Sequence, residues 1–202
     1  MRNSRGADAI GRVAVVARYC WSAIETALII IAGGILFDLG GDMMRLSVMF
    51  GLVALTAVAA TIVTGILVLT WVYRAMAVAH DISPELTISP GWAVGWYFVP
   101  VASLWKPYEA MREIWQGSAG STRASGSHAL INWWWAAWIT RSLMGSFEWI
   151  VTRSGDGRLT HGDILVIALG AAAGVAAALL LSVIIRRINA MQIGAVEAGI
   201  FD

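Results

Sequence analysis

Charged residues are scarce: Asp, Glu, Lys and Arg make up 13% of the 202 residues, against 58% hydrophobic ones. A soluble domain carries roughly 25% charge, and the apolar residues here come in separated blocks that no globular core of this size could absorb. That excludes a soluble fold and leaves an integral membrane protein. One cysteine, Cys20, excludes an internal disulfide and has no metal-ligand partner in sequence; it reads as a small apolar residue in a helix. The net charge is +1 with the basic residues dispersed, so a nucleic-acid partner is excluded. Catalytic signatures are missing too: no H-E-x-x-H, C-x-x-C, G-x-S-x-G or phosphate-binding Gly loop with Lys occurs. His80, His128 and His161 are scattered on loops, Gly145-Ser146 has no histidine within a span to act as base, and Asp156, His161 and Asp163 lack the spacing of a metal loop. No cofactor, metal or catalytic set is implied.

What is present is a series of long apolar segments. Residues 19–37, 46–73, 129–151 and 164–185 each suffice to cross about 30 Å of hydrocarbon, which takes about 20 residues. The first, within the apolar run Val13 to Phe37, is too long for the core of a cleavable signal. The second is longer than needed and predicts a helix that tilts or projects past the bilayer, since Arg74 to Asp81 keeps helical composition while turning polar. The fourth ends at Arg186-Arg187 and contains Gly170 and Gly174, a G-x-x-x-G that lets another helix approach closely; packing inside the chain outweighs a homo-oligomer on this face. The expected fold is all-α: four transmembrane helices in one membrane domain over residues 1–202.

Between the second and third spans lies a stretch, residues 89–116, with four of the eleven tryptophans. Ser89 suits an N-cap and Pro90 the first helical position, and Pro100 lacks the N–H that would bond back to Trp96. The apolar run Gly91 to Val99 is therefore a helix of about nine residues, about 14 Å, reaching halfway into a bilayer. A second helix is predicted from Pro107, with Tyr108, Met111 and Trp115 on one face and Glu109, Arg112, Glu113 and Gln116 elsewhere, a pattern suited to the headgroup layer. The pair reads as a re-entrant or interfacial element, the alternative being a fifth span.

The strings W-V-Y-R-A (Trp71 to Ala75), S-P-G-W-A-V-G-W-Y-F-V-P and L-W-K-P-Y-E-A-M-R-E-I-W are long and specific. By them the chain resembles a bacterial membrane family known as domain of unknown function 4328. The resemblance implies a multi-pass protein of the bacterial cell membrane and brings no established activity. That family often has Asn where this chain has Val78 and Ser103, so a polar role at those two positions does not carry over.

Keeping the motif on one side puts ten basic residues, Arg2, Arg5, Arg12, Arg18, Arg74, Lys106, Arg112, Arg123, Arg186 and Arg187, on the face with both termini. Arg45, Arg153 and Arg158 are left outside and Arg141 lies within the membrane. A fifth span would give seven against six. The positive-inside rule favours the first arrangement, with termini and motif cytoplasmic at the plasma membrane. Ionisable residues inside spans are costly, which singles out Glu25, Arg141 and Glu148; an Arg141 to Glu25 ion pair is expected, with Glu148 as the alternative partner. The motif residues Pro90, Trp92, Trp96, Pro100, Trp105, Lys106, Pro107, Glu109, Arg112 and Trp115 form the candidate interaction surface, because Trp and Arg dominate binding hot spots. The leading functional expectation is a non-catalytic scaffold or regulatory partner at the inner leaflet, in contact with the lipid bilayer and a membrane or cytoplasmic protein. A small transporter or channel using Arg141 is the second, and a lipid-acting enzyme the third.

Overall fold

The structure is a computed structural model, and it describes residues 43–119, 128–154 and 160–198. Among the described residues every regular element is helical. α1 is Met43–Ile82, α2 is Pro90–Gly95, α3 is Lys106–Ala119, α4 is His128–Ser154 and α5 is His161–Ala198, with single 3-10 turns at Trp96–Phe98 and Ala102–Leu104. The span expected at residues 19–37, with Glu25, lies outside the described residues.

Two stretches among the described residues, Val58–Ile82 and His161–Ala195, are long and apolar enough to cross a membrane. They suggest a membrane-associated protein. α4 is long enough but less apolar, since Asn132, Arg141, Glu148 and Arg153 interrupt it. The hydroxyls on these helices turn inward on their own backbone: Thr56, Thr70, Thr140, Ser142, Ser146 and Ser182 each donate to the carbonyl four residues back, at 2.7–3.0 Å. That satisfies a donor where water is lacking.

The described residues divide into two compact units, one ending at Trp71 and the other beginning at Val72. In the first, the α1 side chains Leu52, Leu55, Val58 and Ile62 are all exposed, as suits a helix whose solvent is apolar.

In the second unit the core gathers where α3, the end of α1 and the C-terminal half of α5 meet α4. Ala75, Met76 and Ala79 of α1, Met111 and Ile114 of α3, Ile131 of α4 and Ile184 and Ile188 of α5 are fully or almost fully buried. Each of the larger ones contributes about 1.5–3 kcal/mol by leaving water. One polar link runs through this core: the Gln192 amide donates to Ala75 O at 2.8 Å and to Ser118 Oγ at 2.9 Å, joining α5, α1 and α3. The packing explains why α5 continues through Arg186-Arg187 to Ala198, since Ile188, Asn189 and Gln192 beyond the arginines are buried. α5 starts on a capping box, with Thr160 N donating to Asp163 Oδ2 at 2.7 Å and Asp163 N to Thr160 Oγ1 at 3.3 Å.

α4 and α5 pair antiparallel. A β-carbon added at Gly170 would lie 3.1 Å from Met144 Cβ, and one at Gly174 would lie 3.3 Å from Arg141 Cδ. The small-residue face of α5 is thus occupied by α4 of the same chain, and Arg141 lays its stem along it.

Candidate docking site at the Trp-rich turn

The path of the motif is set at both ends. At its entry, the Glu113 carboxylate on α3 accepts hydrogen bonds from Thr87 N at 3.1 Å, Ile88 N at 2.9 Å and the Thr87 hydroxyl. His80 Nε2 bonds Ile88 O at 2.9 Å and Ser83 Oγ donates to Gly117 O at 3.2 Å. The loop from α1 is therefore tied to α3 before the motif begins. Gly117 makes this closeness practicable, since a β-carbon there would come 2.7 Å from Leu86 Cδ1 and 3.2 Å from Ala79 Cβ.

Ser89 then caps α2, its Oγ accepting from Trp92 N at 3.5 Å, with Pro90 in the first turn. The helix expected through Val99 is shorter: α-geometry ends at Gly95 and tightens into the 3-10 turn. The cause is Pro100, which forces Val99 to an extended conformation, φ −89° and ψ 115°. Trp92 and Trp96 lean together with ring centroids 4.5 Å apart.

The chain reverses at Val101, whose φ is 68° and ψ −56°, while Ala102 N donates to Pro100 O at 2.8 Å. This is a γ-turn of the rare, strained positive-φ kind, at a β-branched residue. The turn is then fastened to α4. Trp135 Nε1 donates to Leu104 O at 3.2 Å, and Tyr108 OH to Asn132 Oδ1 at 2.7 Å. Trp135 also stacks on Trp138 at 4.7 Å and approaches Tyr108 at 6.3 Å.

These bonds divide the motif into a buried half and a bare half. Pro107, Ala110, Met111, Ile114, Trp115, Gly117 and Ser118 of α3 are buried. Met111 and Trp115 of the face predicted to lie on headgroups are turned into the chain instead, where α3 packs on α5 and α4. Trp115, at 5% exposure, therefore offers no surface to a partner. Trp92 (54%), Phe98 (71%), Val101 (66%), Leu104 (53%) and Trp105 (44%) are bare. At the rim, Lys106 Nζ sits 2.5 Å from Glu109 Oε2 and 5.7 Å from the Trp96 ring centre. The Arg112 guanidinium lies 5.7 Å from the Tyr108 ring centre, and its Nε is buried without a hydrogen-bond partner among the described residues.

Arg141 lies apart from the motif, with a β-carbon at Gly145 falling 3.2 Å from its Nη1. Glu25 and the Glu148 side chain lie outside the described residues, so the expected ion pair does too. Among the described residues no cluster of three or more His, Cys, Asp or Glu side chains forms that could hold a metal ion. Sequence reading missed three fastening residues, Glu113, Trp135 and Gln192; the first looked like part of a solvated face.

No curated protein and no solved structure matches the chain. The family model described as domain of unknown function (DUF4328) matches residues 40–190, which takes in α1, the whole Trp-rich turn, α3, α4 and most of α5. With three quarters of its length covered by that match, the chain belongs to the DUF4328 family.

Proposed function

We propose that the protein is a non-catalytic, multi-pass scaffold of the bacterial plasma membrane that docks a membrane or cytoplasmic protein at the inner leaflet through its Trp-rich turn. In this reading it has four spans, both termini are cytoplasmic, and the motif enters and leaves from that side. The observation that carries it is a turn fastened at both ends yet bare on its outer side: Glu113 holds the entry, Trp135 and Asn132 hold the exit, and Trp92 stands 54% exposed, with Lys106, Glu109 and Arg112 forming the polar rim. Rigid aromatic and Arg side chains give contact area at low entropic cost, which is what a docking surface needs. The low charge tally of the opposite face supports the orientation.

In-cell photocrosslinking from Glu109 and Gln116 tests the reading. A discrete crosslinked species is expected, lost in Trp92→Ala and Arg112→Ala while protein level and membrane insertion stay unchanged. Specific solute flux by the purified protein in liposomes, abolished by Arg141→Leu, would replace docking with transport.

A further inference from the structure

Phe98, Val101 and Leu104 are exposed apolar residues around the reversal of the turn, and the bond from Trp135 fixes where the turn is fastened along the α4–α5 pair. Met144 of α4 lies against Gly170 of α5. Nine residues back along α4 from Met144 is Trp135, and nine residues forward along α5 from Gly170 is Leu179. Trp135 is therefore level with about Leu179, some seven residues or about 10 Å short of Arg186 at 1.5 Å per residue. The Trp135 indole bonds Leu104 O, so the turn is fastened to a residue of α4 whose backbone lies about 10 Å on the apolar side of the first charges that follow the α5 span. At that level Leu179 of α5 is itself exposed, within a stretch long and apolar enough to cross a membrane.

We infer that the tip formed by Phe98, Val101 and Leu104 is a wedge seated among the acyl chains of the phospholipid leaflet on the Arg186 side, and that lipid, not protein, covers it. Half the hydrocarbon thickness is about 15 Å, so a turn fastened at that level of α4 fits within one leaflet and need not span. The backbone of the wedge suits that place. The reversal closes hydrogen bonds of its own, Ala102 N to Pro100 O at 2.8 Å, Ser103 N to Val99 O at 2.9 Å, Leu104 N to Val101 O at 3.0 Å and Trp105 N to Ala102 O at 3.1 Å, while the Trp135 indole donates to the Leu104 carbonyl. In lipid every backbone polar group needs a partner within the protein, and these bonds supply one for the carbonyls of Val99, Pro100, Val101, Ala102 and Leu104. Lys106 and Arg112 follow the tip in sequence, in the order expected of cations flanking an inserted apolar segment. The inference rests on the membrane placement used for docking, and adds that the wedge holds the rim of α3 at a fixed height for its partner.

The test uses the purified full chain with Cys20→Ala, reconstituted without any other protein into vesicles of phosphatidylethanolamine and phosphatidylglycerol. An environment-sensitive fluorophore is attached in separate variants at Phe98→Cys, Val101→Cys and, as an aqueous control, Ser83→Cys. At the two tip sites the emission is expected to be blue-shifted, quenched by nitroxides on the acyl chains and spared by aqueous iodide, with the reverse at Ser83. Iodide quenching at both tip sites would overturn the wedge. Protection from both quenchers at the tip would also overturn it, because protein would then cover the site. Loss of the Glu109 crosslink with lipid quenching retained would count against docking alone.

Discussion

Glu113 shows how far a single side chain can depart from its appearance in sequence. In the run E-A-M-R-E it sits among charges that look solvated, yet it accepts hydrogen bonds from three donors of the loop that leads into the motif. Hydrogen bonds to a charged group are worth about 1.5–3 kcal/mol each at most, and less where the site is open to water. Glu113→Ala is expected to lower the thermal stability of the purified protein in detergent and to open the Glu85–Thr87 loop to proteolysis. Glu113→Gln keeps an oxygen acceptor and should lie between it and wild type. Equal stability of all three would remove the clamp. Val101 is the opposite case. A β-branched residue in a positive-φ turn contradicts its own preferences, so no propensity argument could have found the turn there. Pro100 announced only that the helix must stop.

At the scale of elements, the helices themselves were legible and their partners were not. Ser89-Pro90 announced the start of α2, the apolar stretch 164–185 announced α5, and the polar continuation of the second span announced that α1 projects past it. Periodicity also found the apolar face of α3, but a buried face and a membrane-facing one have the same period. Only the packing of Met111, Ile114 and Trp115 distinguishes them. The residue that sets the α1–α3 approach is Gly117, on which Ala79 closes to 3.2 Å of the position a β-carbon would take. Leu86 can swing aside, whereas Ala79 moves only with its backbone. Gly117→Val should therefore force the helices apart and cost about 1–3 kcal/mol, the usual penalty of overpacking, with Gly117→Ala smaller because it gains helix propensity. Unfolding of the two variants by heat in detergent measures this. A Gly117→Val protein as stable as wild type would mean that the approach is loose.

For the whole molecule, the charge on Arg141 needs an answer, since its stem lies along Gly174 in an apolar helix pair. The proposal from sequence is a carboxylate partner, Glu25 or else Glu148. Removing one member of a buried pair strands the other and costs about 3–5 kcal/mol, while removing both is much milder. Arg141→Leu, Glu25→Leu, Glu148→Leu and the two double variants, compared by thermal stability in detergent, identify the partner as the carboxylate whose loss is non-additive with that of Arg141. Additive losses for both would argue that Arg141 is neutralised otherwise.

Topology is the remaining question at this scale, and charge and geometry bear on it independently. Ten basic residues fall on the cytoplasmic side when the motif returns and seven when it spans, and the positive-inside rule acts through such differences. The geometry contributes a turn too short to cross: α2 has six residues, about 9 Å of helix, before Pro100 breaks it and Val101 reverses the chain. In the proposed topology Ser83 and Ser121, the residues flanking the motif in sequence, lie on one side. Single cysteines at these positions in a Cys20→Ala background, labelled in intact cells with an impermeant thiol reagent, read this directly. Neither site is expected to react until the membrane is permeabilised, and then both should. Reaction of the Ser121 site alone in intact cells would mean that the motif crosses the bilayer, and the four-span arrangement, the docking surface and the wedge would all have to be abandoned together.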